Sequence, residues 1–78
     1  MIMAEIEQDA PKRYIELNIF LRVIIKAAST GGQAKLIIRE GHVKVNNEIE
    51  TRNKRKLHAG DVVEYNGKSY DVKEENCR

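Results

Sequence analysis

Cationic side chains recur through the middle of this chain at spacings that would gather them in space. Lys35 and Arg39 stand four residues apart, so on a helix they share one face. Lys26 precedes them, Lys44 and Asn46 follow on a stretch with alternating Val, and Arg52, Lys54, Arg55 and Lys56 form a dense run. Between Lys26 and Lys35 lies Ser29-Thr30-Gly31-Gly32-Gln33. A helix beginning there leaves the backbone N–H groups of Thr30, Gly31 and Gly32 at the positive end of its dipole. Those groups suit an anion, and phosphate is the usual one. Each piece also has a plainer reading: Gly31-Gly32 as a tight interhelix turn, and Arg52 to Lys56 as a solvated loop. Their coincidence with Lys35 and Lys44 is what points to a binding face.

Catalytic chemistry finds no comparable set. His42 and His58 are the only histidines and Cys77 the only cysteine. No metal-ligand spacing arises from them, no internal disulfide can form, and no cofactor is implied. Gly67-Lys68-Ser69 resembles the end of a phosphate-binding loop. That motif needs an earlier glycine where Val62 stands, and it must open a helix, whereas here it closes a hairpin. Glu48 and Glu50 read as exposed strand positions, and Glu74 and Glu75 as part of a tail. No nucleophile has an evident base. The chain reads as a non-enzyme without a small-molecule substrate.

The bulk properties set bounds. A chain of 78 residues is one small domain, burying only about 60–65% of the surface its unfolded form exposes. Trp is absent and Phe20 is the only Phe, so aliphatic side chains must build the core. The longest apolar stretch, Ile19 to Ala28, is interrupted by Arg22 and Lys26 and is too short to span a bilayer. Glu5, Glu7 and Asp9 near the start are unlike the basic opening of a signal peptide. The expectation is a cytoplasmic monomer. The net charge is only +2, but residues 26–56 carry eight Lys/Arg against three Glu, while both flanking segments are net acidic. A basic block between acidic ends is the pattern of a localised polyanion-binding face.

The elements that must position these side chains follow from periodicity. Residues 1–11 read as a flexible N-terminal arm ending at Pro11. A short strand is expected within Arg13 to Leu17, then a helix from Leu17 or Asn18, with Asn18 as its N-cap. Leu17, Phe20, Leu21, Ile24 and Ala28 form its core stripe. Val23, Ile25 and Ala27 widen that stripe, so one neighbour cannot cover it. A second helix runs from Gly32 or Gln33 to Glu40, with Ala34, Ile37 and Ile38 inward and Gly41 as a left-handed stop. His42 to Val45 is a strand, Asn46-Asn47 a turn and Glu48 to Glu50 a returning strand. Val62 to Tyr65, Asn66-Gly67 and Lys68 to Val72 form a hairpin. Residues 12–73 make the domain, and 74–78 a frayed C-terminal tail. The fold class is α+β, two short helices packed on a small, mostly antiparallel sheet.

The segments Gly32-Gln33-Ala34-Lys35, Gly41-His42-Val43-Lys44-Val45-Asn46, Glu50-Thr51-Arg52, Arg55-Lys56-Leu57 and Ala59-Gly60-Asp61, taken in order, resemble the S4 RNA-binding domain, most closely its small stand-alone bacterial members. The resemblance covers Tyr14 to Val72. It implies an L-shaped surface of two helices and a hairpin that binds structured RNA, ribosomal or transfer RNA, in a ribosome-associated role. The implied RNA face comprises Thr30, Gly32, Gln33, Lys35, Arg39, Lys44, Asn46, Arg52, Arg55 and Lys56, with Lys26 and Lys54 as outer contacts. The sequence departs from the family at Asn47, where Gly is usual. The rival expectation is a protein-interaction module that docks an acidic partner through the same basic face.

Overall fold

The computed structural model describes residues 13–78. The arm expected over residues 1–11 lies outside the described residues. Strand β1, Ile15–Glu16, runs directly into helix α1, which opens as Leu17–Ile19 and continues over Phe20–Ile25 in π geometry. The capping position belongs to Glu16, whose backbone is extended. Asn18, the expected N-cap, is instead inside the helix. A distant loop caps α1 in its place, because the N–H groups of Leu17 and Asn18 donate to the carbonyls of Arg55 and Asn53, at 2.9 and 3.1 Å. Local sequence cannot disclose a cap supplied from more than thirty residues away.

The wider π turn ends at Lys26, whose φ of 61° is left-handed and whose N–H reaches Leu21 O. Ala27 N–H donates to the same carbonyl at 2.8 Å. The helix therefore stops short of Ala28, which is buried beyond it. Leu17, Phe20 and Leu21 are fully buried, while Ile19 and Val23 remain 38% and 56% exposed. The apolar arc read from the sequence is real, and part of it is left uncovered.

Helix α2, Gly31–Arg39, begins at Thr30, whose hydroxyl accepts from Gln33 N–H. It ends at Gly41, φ 82°. Gly41 N–H donates to Ile38 O and His42 N–H to Ile37 O, the paired bonds that close a helix on a left-handed glycine. Ala34 and Ile38 are fully buried, and the small Ala34 side chain lets α2 lie close against the first turn of α1.

The strands are β2 (Val43–Val45), β3 (Glu48–Ile49), β4 (Lys56–Leu57), β5 (Val62–Tyr65) and β6 (Lys68–Asp71). They form an antiparallel sheet in the order β3-β2-β5-β6, and a separate pair β1-β4. Pairing of Val45 with Val63 places Val43, Val45 and Val63 on one face, where all three are buried. Each contributes roughly 1.5–3 kcal/mol by leaving water. Asn46 and Asn47, φ 52° and 72°, make the β2–β3 turn, and Asn66-Gly67, φ 55° and 80°, the β5–β6 turn. Two left-handed residues in succession match the twist of the flanking strands.

The last residues are not frayed. Glu74–Asn76 form a 3₁₀ turn, Cys77 is buried at 6% exposure, and Tyr14 and Arg78 exchange both backbone hydrogen bonds, at 3.2 and 3.0 Å. A polar tail looks loose in sequence. Here one small apolar side chain, Cys77, and a strand edge beside β1 hold it. The architecture is the expected α+β arrangement.

Candidate nucleic-acid interface

The basic run after β3 is shaped by one acid. Glu50 reads in sequence as an exposed strand position, yet it is 7% exposed and follows β3. Its N–H donates to Val43 O at 3.0 Å, which carries the sheet pattern one residue further and turns its side chain inward. The carboxylate Oε2 accepts from Arg52 N–H and Nε at 3.0 and 2.9 Å, and Oε1 accepts from Arg52 Nη2 at 3.1 Å and Arg55 Nη1 at 2.7 Å. These bonds outweigh the cost of burial and lower the Glu50 pKa from 4.5 to about 2, with the Arg52 side chain the largest influence. The same carboxylate raises the pKa of Arg52.

Arg52 and Arg55, with Lys54 and Lys56, line a shallow concavity of about 430 Å³. Its lining is cationic throughout. The carbonyls of Asn53 and Arg55 that cap α1 tie the backbone of this loop in place. Lys56 lies on β4, opposite Glu16, and its ammonium sits 5.0 Å from the Tyr14 ring centroid. That cation–π contact directs the lysine stem across β1.

A second group surrounds the interhelix turn. Lys26 is exposed at the end of α1, and Thr30, Gly32 and Gln33 are exposed at the start of α2. The Thr30 hydroxyl accepts from Gln33 N–H at 3.2 Å, and Gln33 Oε1 accepts from Ser29 N–H at 2.7 Å. Thr30-Gly31-Gly32-Gln33 is thus a reciprocal capping arrangement, for which Thr and Gln at that spacing were the available signal. It consumes the Gln33 N–H and one face of each side chain. Neither Gly31 nor Gly32 has positive φ; the left-handed residue of the interhelix segment is Lys26. The turn therefore does not require the glycines. A Cβ on Gly32 would meet nothing nearer than Thr30 Oγ1 at 3.9 Å, and one on Gly31 would lie 4.0 Å from Arg22 Nη1. Arg22 is a cation at this turn that was not among the expected contacts; its place four residues before Lys26 on the polar side of α1 could have disclosed it.

Lys35 and Arg39 are both exposed on α2. Arg39 is its last residue, about 12 Å along the axis from Gly31. Arg39 thus stands at the negative end of the dipole and not beside the glycines. Lys44 projects from the solvent face of β2, between Ile49 of β3 and Glu64 of β5. Asn46 is committed to the fold: its Nδ2 donates to Asp61 Oδ1 at 3.2 Å and its Oδ1 accepts from Val62 N–H at 3.0 Å. The geometry thus gathers Arg52, Lys54, Arg55 and Lys56 in one concavity, and Lys26, Thr30, Gly32 and Gln33 at one turn. Lys35 and Arg39 extend along α2, and Lys44 stands on the sheet. The first turn of α1 connects them, since it packs on α2 and receives the backbone of the basic loop.

Among the described residues no group of three His, Cys, Asp or Glu side chains is placed to hold a metal ion, and no helix is long and apolar enough to cross a membrane.

Other proteins are similar to this chain in sequence. YbcJ of Escherichia coli strain K12, named as a candidate RNA-binding protein, is 44% identical over 45 residues, which is 58% of this chain and 64% of YbcJ. YbcJ of Shigella flexneri, whose name assigns no function, matches to the same extent. RlbA of Bacillus subtilis strain 168, named as a probable ribosome maturation protein, is 43% identical over 53 residues, 68% of this chain and 73% of RlbA. The matched part of this chain thus spans just under two thirds of the length of the YbcJ proteins. The sequence model of the S4 domain matches residues 9–73, which hold both helices and all six strands described above, and the chain belongs to the S4 domain family.

Proposed function

We propose that this protein binds structured RNA, ribosomal or transfer RNA, through its basic face and does so without catalysis, in the cytoplasm. The observation that carries this reading is the concavity whose lining is Arg52, Lys54, Arg55 and Lys56 alone. Its guanidiniums are already oriented, which suits the fork-like recognition of phosphate oxygens. Lys26, Lys35, Arg39 and Lys44 extend the positive field around it. Gly31 and Gly32 support the reading as well, because the backbone does not need glycine there and a bare helix start admits close approach of a phosphate. Membership of the S4 domain family agrees with it, as do the names of two relatives, one for RNA binding and one for ribosome maturation. The described aromatics, Tyr14, Phe20, Tyr65 and Tyr70, are buried or half-buried, so shape and backbone recognition fits better than base stacking.

Titration of ribosomal RNA fragments and transfer RNA at two salt concentrations tests the proposal. With about four to six phosphates contacted, log affinity falls with log salt at a slope near 0.7–0.9 per contact. Lys35→Glu and Lys54→Glu each weaken binding while leaving the fold intact. Absence of binding to either RNA class at low salt overturns the reading.

One observation favours a second reading, contact with a protein. Ile19 and Val23 are exposed and line, with Tyr14, Ile15, Ile24 and Asn76 among others, a groove of about 570 Å³. Partners recovered after nuclease treatment, and unaffected by Lys35→Glu and Lys54→Glu, would establish it in place of RNA binding.

A further inference from the structure

We propose that Glu50 is the positioning residue of the RNA-binding face: it presents Arg52 and Arg55 as preformed forks to phosphate. The inference rests on the RNA-binding reading and goes beyond it, since a carboxylate in a polyanion-binding surface would by charge alone repel the ligand. Geometry argues the opposite role. The Glu50 side chain is 9% exposed, so phosphate does not meet its charge directly, whereas Arg52 is 72% and Arg55 28% exposed. Arg52 offers Glu50 its Nε and Nη2 edge. Its Nη1 lies on the other side of the planar group. Arg55 gives Nη1 to Glu50, and its Nε and Nη2 have no hydrogen-bond partner among the described residues. Both guanidiniums thus keep donors for a ligand while two of their edges are locked.

Holding them in advance removes an ordering cost at binding, which long charged side chains otherwise incur. Glu50 is itself fixed through its backbone bond to Val43 of the central strand β2. The orientation of the forks is therefore referred to β2, the strand that carries Lys44.

The test turns on sign. Glu50→Gln makes the chain one unit more positive. If Glu50 is only a charge, RNA binding tightens. If it positions the arginines, binding weakens by about tenfold, the worth of about one charged hydrogen bond, and the salt slope falls by about one phosphate contact. Amide spectra of the full chain check that β2 and β5 persist. Arg52→Lys and Arg55→Lys supply a second arm, independent of whether Glu50→Gln folds. They keep the charge and lose the fork, and each is expected to weaken binding severalfold. Tighter or equal binding by Glu50→Gln, or by both lysine variants, overturns the positioning role while leaving RNA binding intact. Failure of the unaltered chain to bind any structured RNA overturns the functional reading, and this inference falls with it.

Discussion

Glu50 joins the stability of the fold to the geometry of the basic loop through a single carboxylate. Its pKa in the folded chain is lowered from 4.5 to about 2, so the folded state holds the ionised form more strongly than the unfolded chain does. The resulting stabilisation is complete above pH 4.5 and is lost as pH falls toward 2. Because Arg52 is open to solvent, the effect is discounted to about 1–2 kcal/mol. Urea unfolding at pH 6, 4 and 2.5 measures it. The unaltered chain loses stability over this range, and Glu50→Gln shows a flatter acid limb. An identical acid limb in the variant would mean that other carboxylates set it. Asn46 marks the opposite case among the expected contacts. Both ends of its amide are bound to Asp61 and Val62, so its place in the sequence pattern is accounted for by joining the β2–β3 turn to β5.

The interhelix segment separates two requirements that look like one in sequence. A tight turn between helices usually draws on glycine for left-handed backbone. Here Lys26 takes that conformation, at a cost of about 1–2 kcal/mol, and Gly31 and Gly32 lie in the first turn of α2. Glycine in a helix is less stable than alanine by roughly 0.5–1 kcal/mol. Gly32→Ala should therefore raise stability by about 0.5 kcal/mol and, by covering the N–H groups at the helix start, weaken RNA binding. Thermal unfolding and an RNA titration on the same preparation check both halves. A variant that is stabilised and binds unchanged would show that the glycines serve neither purpose.

For the molecule as a whole, the closing of the chain on itself is the main departure from a simple helix-and-sheet domain. Arg78 pairs with Tyr14, and Cys77 packs over the carbonyl of Leu57, with its Sγ 3.9 Å from that oxygen. This joins the end of the chain to the β1-β4 pair, which in turn carries the basic loop. Removal of Glu74 to Arg78 is expected to cost about 1–3 kcal/mol in burial and hydrogen bonding, read as a lower urea midpoint. An unchanged midpoint would restore the picture of a loose tail.

Much of the architecture was legible because it is written in short-range terms. The alternation of Val43 and Val45, the Asn-Asn and Asn-Gly turns, and Gly41 after Ile38 each have a local physical cause, and each stands where periodicity places it. The cationic candidates were legible as well, because charge is a property of composition. What stayed hidden depends on segments far apart in the chain. The α1 cap comes from Asn53 and Arg55, so Asn18 could be mistaken for it. Glu50 looks like one more exposed acid until the sheet turns it inward beneath two arginines. Lys26 takes a left-handed backbone because a π turn must close there, and no propensity selects lysine for that. Sequence alone thus established the element types, the turns and the presence of a basic block. Burial and long-range hydrogen bonding, which exist only once the chain has closed, decided which cations share a concavity and which acid holds them.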